Sequence, residues 1–360
     1  MLHPAITALS GILQPRVGLS KCRLETLCLL VVGMISARTV NLGHIACERP
    51  GSVLIASTYR RLQRFFQHVA LPRDWTLPIL ADLLGLQGSW TLVLDRTQWS
   101  IGTREVNILV LAVVSRRLRV PLAWTLLPRG GNSHTRVRIA LVERYLAHFP
   151  ASRVRLLLAD REFIGAEWLK FLSDSNIPFA IRLREDLRVL TEDGCELTLF
   201  ARLRGRRQTR SFRGRLWADG RADGPLLGFA AKRLKDEWLI VVSNLPPRTA
   251  LAAYRKRWAI ECLFADAKSR GLNLEDTRLT DPRKLDLLMA LIALALAWAG
   301  RTASDLLGRR EPARKAHGYL AQSWFRTGFD HLRNRLRTDP ETAITAWLSL
   351  AEPAKHGSVV

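Results

Sequence analysis

Between Trp90 and Leu183 the chain stops reading as helix and becomes a series of short apolar runs. They are TLVL ahead of Asp95, VNILVLAVV, VPLAWTLL, VRLLLA ahead of Asp160, and IPFAIRL. Runs of four to eight apolar, β-branched-rich residues bounded by polar or turn residues are strand signals. A Gly-Gly-Asn-Ser turn and the helical pattern TRVRIALVERYLAHF separate the third run from the fourth, and a second helix through Trp168 to Leu172 precedes the last. Three strands, helix, strand, helix, strand is the order of an α/β mixed sheet with helices packed on its faces.

The flanks differ. Residues 1–88 read as helical, through LETLCLLVVGMIS, a short VNLGHIAC and then STYRRLQRFFQHV. The last segment sets Arg60, Arg61 and Arg64 on a helix whose other side is Leu62, Phe65 and Phe66, with Ser57-Thr58 as its cap signal. It reads either as a recognition helix in a helix-turn-helix-like unit or as an ordinary basic surface helix. Residues 187–243 bring short strand-like pieces, Asp-Gly turns and ARLRGRRQTRSFRGR, with seven arginines in fifteen residues. That β-rich insertion is a phosphate-tracking surface or a solvated loop. Helix returns at about Pro247 and runs to Gly271, and residues 276–360 are helical again. DLLMALIALALAWAG is apolar on nearly every face and belongs in the core or at a subunit contact.

The chain carries 55 Lys plus Arg against 32 Asp plus Glu, a formal charge of +23 over 360 residues. A polyanion, nucleic acid first, is the partner such a balance implies. The five cysteines, at 22, 28, 47, 195 and 262, form no metal or disulfide pattern and read as reduced, packed thiols of a cytosolic protein. No secretory signal is evident, and the apolar stretches at 27–34 and 287–299 fall short of the ~20 residues that cross a bilayer. Neither a membrane nor export is expected.

Asp95 and Asp160 each follow an apolar strand, and Glu261 shares a helical stripe with Tyr254, Arg257 and Lys268, at offsets of zero, three, seven and fourteen from Tyr254. Ile260, Leu263 and Ala267 lie on another side, facing the core. Three carboxylates brought together repel one another unless a cation neutralises them, and hard oxygen ligands select Mg²⁺ or Mn²⁺. A two-metal phosphoryl-transfer centre follows.

The pattern Y-x2-R-x3-E-x6-K in YRKRWAIECLFADAK, with LDRTQW around Asp95 and ADREF around Asp160, resembles the insertion sequence four family of bacterial DDE transposases. The resemblance is strong over residues 90–275. It implies a ribonuclease-H-like core divided by a β-strand insertion: a helical DNA-binding region at 1–88, core at 89–186, insertion at 187–243, core again at 244–275, and a helical C-terminal region at 276–360 with a dimer contact. It further implies that Asp95, Asp160 and Glu261 are the catalytic, metal-binding triad and that Tyr254, Arg257 and Lys268 contact phosphates at the transposon end. Trp258 matches the family's R-W pair and either stacks near the terminal bases or packs in the core. Arg161 contacts phosphate or structures the site. Members that form a DNA hairpin hold a flipped base on a tryptophan of the insertion, but no motif chooses between Trp217 and Trp238.

The implied activity is binding of terminal inverted repeats, cleavage of the 3′ strands and joining of the freed 3′-hydroxyls to target DNA, by a homodimer on double-stranded DNA in the bacterial cytoplasm, at the nucleoid. Two other readings share these residues: a DNA-binding regulator of transposition without turnover, and a metal-dependent nuclease that cuts without joining.

Overall fold

The computed structural model describes residues 4–350, apart from 103, 129, 205–208, 218–221, 223, 236 and 349. Five helices come first: α1 (Pro4–Leu13), α2 (Lys21–Ala37), α3 (Leu42–Cys47), α4 (Ile55–His68) and α5 (Thr76–Leu83). Strands β1 (Trp90–Ile101), β2 (Arg104–Val114) and β3 (Arg119–Leu127) form an antiparallel meander. Helix α6 (Thr135–Leu146), β4 (Val154–Ala159), α7 (Ala166–Asp174) and β5 (Phe179–Leu183) complete the order expected from the apolar runs. Both β4 and β5 pair in parallel. The order β3-β2-β1-β4-β5, with β2 alone running against the others, is the ribonuclease-H-like arrangement. Every residue of β2 from Ile108 to Val114 is buried, so both faces of the sheet are covered there.

The segment after β5 extends this sheet. β6 (Arg188–Thr191), β7 (Glu196–Thr198), the short α8 (Leu199–Leu203), β8 (Arg210–Leu216), β9 (Leu227–Arg233) and β10 (Trp238–Ser243) follow in sequence. β10 pairs with β5, and the whole forms one ten-stranded sheet ending in β5-β10-β9-β8-β6-β7. Of the arginine run, residues 206 and 207 lie outside the described residues. Arg213 pairs with Glu192 at 3.4 Å and Arg202 sits over the Phe212 ring, so part of that run is tied down locally.

Then come α9 (Pro247–Tyr254), α10 (Ala259–Ala267), α11 (Pro282–Leu307) and α12 (Trp324–Thr338). Asp281 caps α11 by accepting from the backbone N–H groups of Arg283 and Lys284, with proline at the first helical position. The 287–299 stretch, read as too short to span, lies within a helix of 26 residues that is long and apolar enough to cross a membrane, yet 83% of its most apolar window is buried inside this protein. It packs against α2, α5, α12 and β3, joining the helical flanks to the sheet. The crossing of α11 and α12 depends on Gly328, where a Cβ would meet the Ala299 carbonyl and lie 2.7 Å from the Ala303 Cβ. Gly328→Ala is therefore expected to lower the urea midpoint of unfolding by the equivalent of about 1–3 kcal/mol, the range for overpacking, despite alanine's better helix propensity.

The structure departs from the sequence reading at several further points in the helical flanks and the second half of the core. The α4 helix begins at Ile55, and Thr58 is buried inside it, accepting from Arg49, so Ser57-Thr58 is no cap. Of the thiols only Cys28 is buried, its pKa pushed up to about 12 chiefly by burial, while Cys22, Cys47 and Cys195 are exposed. Residues 247–271 form no single helix: 3₁₀ geometry over Arg255–Trp258 interrupts them, and α10 ends at Ala267.

Candidate active site

Asp95 does not end its strand. β1 continues through Asp95 to Ile101, because Thr97, Trp99 and Ile101 alternate inward against Gln98 and Ser100. The parallel register pairs Leu94 with Ala159, so Asp95 and Asp160 are the next residues on adjacent strand paths, whose spacing is about 4.8 Å. Topology alone thus brings two carboxylates together from 65 residues apart.

The third carboxylate arrives on α10, which packs on β1, β2 and β3 through buried Ile260, Leu263 and Ala267. Arg257, in the 3₁₀ segment, joins it to the first. One guanidinium nitrogen donates to Asp95 Oδ2 at 2.9 Å and the other to Glu261 Oε1 at 2.7 Å. The 3₁₀ turn advances fewer residues per revolution than an α-turn, and it lies between Tyr254, whose hydroxyl donates to Asp160 Oδ1 at 3.3 Å, and Glu261. Tyr254 is only 6% exposed. In this state it holds a carboxylate and does not face solvent, where a phosphate contact would be. Lys268, just past the end of α10, donates to the Gln98 carbonyl at 3.1 Å and pairs with Glu275 at 3.4 Å.

The electrostatics follow from burial. The Asp95 pKa is pushed up to about 6, first by burial and then by Asp160 and Glu162, against the pull of Arg257 and the Arg96 N–H. Burial also raises the Tyr254 phenol, reinforced by Asp160. Burial works against the charge on Arg257, but its neighbours Tyr254, Asp160, Asp95 and Glu261 outweigh that and raise its pKa. Arg257 remains a cation in any ordinary buffer.

The donor set, three hard oxygen ligands, fits a divalent cation. Its present arrangement is closed around an arginine: among the described residues no three Asp, Glu, His or Cys side chains are gathered to hold a metal. The guanidinium supplies between Asp95 and Glu261 the positive charge that a metal would otherwise supply.

Two residues beside the carboxylates carry roles that reading the motifs did not assign. Arg96 and Glu162 form a two-pronged pair, both N···O distances 3.2 Å, and Arg96 also donates to Asn107. Buried Arg138 donates to the Glu162 and Ile164 carbonyls and to Ser133, pinning the loop after β4. The signal available was adjacency: Arg96 follows Asp95 in LDR, and Glu162 closes ADRE.

Other expected residues lie apart. Arg161 is exposed. Trp258 is 65% exposed, so it does not pack in the core, and it lines a cavity of about 460 Å³ with Arg116, Arg119, Arg255 and Lys256. Trp238 is buried in β10 with Arg233 over its ring, and half-buried Trp217 has Arg188 over it. In α4, Arg60 and Arg64 are exposed, but Arg61 binds the Thr26 hydroxyl at 2.7 Å and the Cys22 carbonyl at 2.8 Å, anchoring α4 to α2.

One further carboxylate in α10 makes a stability prediction. Asp266 is 4% exposed and burial raises its pKa from 3.8 to about 6, partly countered by Arg119 and Arg270. Between about pH 4 and 6 the unfolded chain has released this proton and the folded chain still holds it, so stability falls as pH rises through that window and stays lower above it. Asp266→Asn should flatten that slope and stabilise the protein at pH 8 by up to about 3 kcal/mol, measured by denaturant titration at pH 4 and pH 8.

Residues 87–298 match the transposase DDE domain, a span that contains all three carboxylates. No curated protein sequence matches the chain. Among solved structures, a piggyBac transposase in a synaptic complex with hairpin DNA is similar at TM-score 0.47 and 11% identity, over 94% of this chain and 74% of that one. An Endonuclease V from Bacillus subtilis is similar at TM-score 0.24 and 12% identity, over 49% of this chain and 79% of that one. With well over half of its length matched to that one domain, the chain belongs to the DDE transposase family.

Proposed function

We propose that this chain is an insertion sequence transposase of the insertion sequence four type, which binds terminal inverted repeats, cleaves the 3′ strands and joins the 3′-hydroxyl ends to target DNA. The observation that carries this reading is that strand register sets Asp95 beside Asp160 while Arg257 links Asp95 to Glu261. Asp95, Asp160 and Glu261 are the residues to hold Mg²⁺ or Mn²⁺. Such ions, when bound, activate a water or 3′-hydroxyl and stabilise the leaving oxygen of an in-line displacement.

The chain's own residues prepare that chemistry. Tyr254 orients Asp160 through its hydroxyl, and the Arg96 N–H donates to Asp95 Oδ1 at 2.8 Å, leaving Oδ2 to Arg257. A phosphate arriving at the site offers Arg257 a partner for two-pronged binding, which frees both carboxylates. The closed arrangement therefore suits a DNA-free resting state, with the scissile strand as the trigger that opens it. Lys268, at the end of α10, and the exposed Trp258 and Arg161 are the proposed further contacts to the transposon end, and the working form is a homodimer holding two ends.

The test is incubation of purified protein with labelled DNA carrying the ends of its element and a target plasmid, in Mg²⁺ or in EDTA, with products resolved on denaturing gels. Metal-dependent 3′ nicks followed by joined products are expected. Cuts without joining would reassign the protein as a nuclease, and binding without cutting as a regulator.

A further inference from the structure

The polar stripe of α4 faces a second basic wall contributed by a distant part of the chain. Arg60, Gln63, Arg64 and Gln67, at i, i+3, i+4 and i+7, are all exposed, while Leu62, Phe65 and Phe66 on the other side are buried. Beside this stripe run two adjoining cavities of about 610 and 640 Å³, which share Phe66, Gln67 and Lys284. Their far wall is the approach to α11 and its first turn, and it brings Arg278, Arg283 and Lys284, with Arg73 at one end.

Three carboxylates share this trough, each hydrogen-bonded to a neutral donor, and Asp286 lies within electrostatic reach of Arg73. Asp276 accepts from the Thr39 hydroxyl at 3.0 Å, Asp281 caps α11, and Asp286 accepts from the Trp124 indole at 2.8 Å. Asp281 lies 3.9 Å from Arg283, but that arginine side chain is 95% exposed, so the pair does little to hold it. Arg64, Arg73, Arg278 and Lys284 form no ion pair among the described residues. A concave strip whose far wall carries Arg73, Arg278 and Lys284, edged by a helix stripe of two glutamines and two arginines, matches one polyanion in particular. Duplex DNA presents a ridge of phosphates next to a groove of base edges. A helix laid in the major groove brings its flank against that ridge.

We propose that the trough between α4 and the start of α11 seats one phosphate backbone of duplex DNA, with Arg73, Arg278, Arg283 and Lys284 as phosphate contacts, and that Gln63, Arg64 and Gln67 read base edges in the adjoining major groove. Glutamine is suited to the N6 and N7 edge of adenine and arginine to O6 and N7 of guanine. Arg61, spent on α2, takes no part. The inference rests on the transposase reading for the identity of the DNA, the element's own ends.

The test uses the full chain and fluorescence anisotropy with two duplexes: one carrying the sequence that immediately flanks its gene, the other the same bases scrambled. Titrations are run at several salt concentrations. Gln63→Ala with Gln67→Ala should weaken binding to the end sequence by roughly tenfold or more and leave the scrambled duplex unchanged. Arg278→Ala with Lys284→Ala should weaken both duplexes alike and make the salt dependence shallower by about 0.9 for each phosphate no longer neutralised. Arg61→Ala should lower thermal stability while preserving the preference between duplexes, which separates loss of α4 anchoring from loss of readout. Unchanged affinities in both double variants overturn the proposal even if the wild type still cuts its ends in Mg²⁺. Absence of binding and cutting by the wild type overturns the transposase reading itself, and this inference with it.

Discussion

Glu261→Gln is expected to abolish metal-dependent cleavage of end DNA while leaving end binding within a few-fold of wild type. The substitution keeps the size of the side chain and its hydrogen bond to Arg257, but removes one of the three charges that would hold a divalent ion. Metal stabilisation of a phosphoryl-transfer transition state is worth several kcal/mol, and about 4 kcal/mol corresponds to roughly a thousandfold in rate. Asp95→Asn and Asp160→Asn should behave alike. The measurement is single-turnover cleavage of a labelled end duplex beside a gel-shift titration on the same preparation. Cleavage within tenfold of wild type by the Glu261 variant would remove the triad assignment.

Arg257→Gln carries the second large effect, in two opposite directions. Without the guanidinium, Asp95 and Glu261 lose their shared counter-charge. A divalent ion then no longer competes with a guanidinium held between them, so Mn²⁺ should bind the DNA-free variant at least about tenfold tighter, followed by electron paramagnetic resonance of free Mn²⁺. Cleavage should nevertheless drop by about 10²-fold or more, because in the proposed function the same guanidinium clamps a phosphate. Weaker Mn²⁺ binding in the variant would mean that Arg257 supports the metal site and does not stand in for a cation there. The paired readout matters, since a merely destabilised protein would lose both properties together.

How far the chain could be read in advance depended on the range of the interactions involved. Five core strands and their order were visible because apolar runs report burial locally, and the convergence of Asp95 with Asp160 follows once β1 and β4 are parallel neighbours. The continuation of β1 to Ile101 was hidden by Asp95, Arg96 and Gln98, polar residues that interrupt a run although Thr97, Trp99 and Ile101 keep the period of two. The 3₁₀ break at 255–258 left no mark, because Arg, Lys and Trp are compatible with either helix. Arg61 looked identical to Arg60 and Arg64, and only its partners on α2, nearly forty residues away, distinguish it. The pairing of Arg96 with Glu162 needs the same β1–β4 register that brings the aspartates together, so it could be recognised only after the fold was known.

Because β10 hydrogen-bonds directly to β5, the inserted strands share a rigid frame with the carboxylates and have no linker on which to swing. Six strand steps separate β4, the strand leading to Asp160, from the outermost β7. At about 4.8 Å each, these amount to roughly 29 Å along the sheet. The sheet therefore fixes how far its outer edge lies from the Asp95–Asp160 pair, and lengthening the insertion by a hairpin would carry that edge outward without moving the carboxylates.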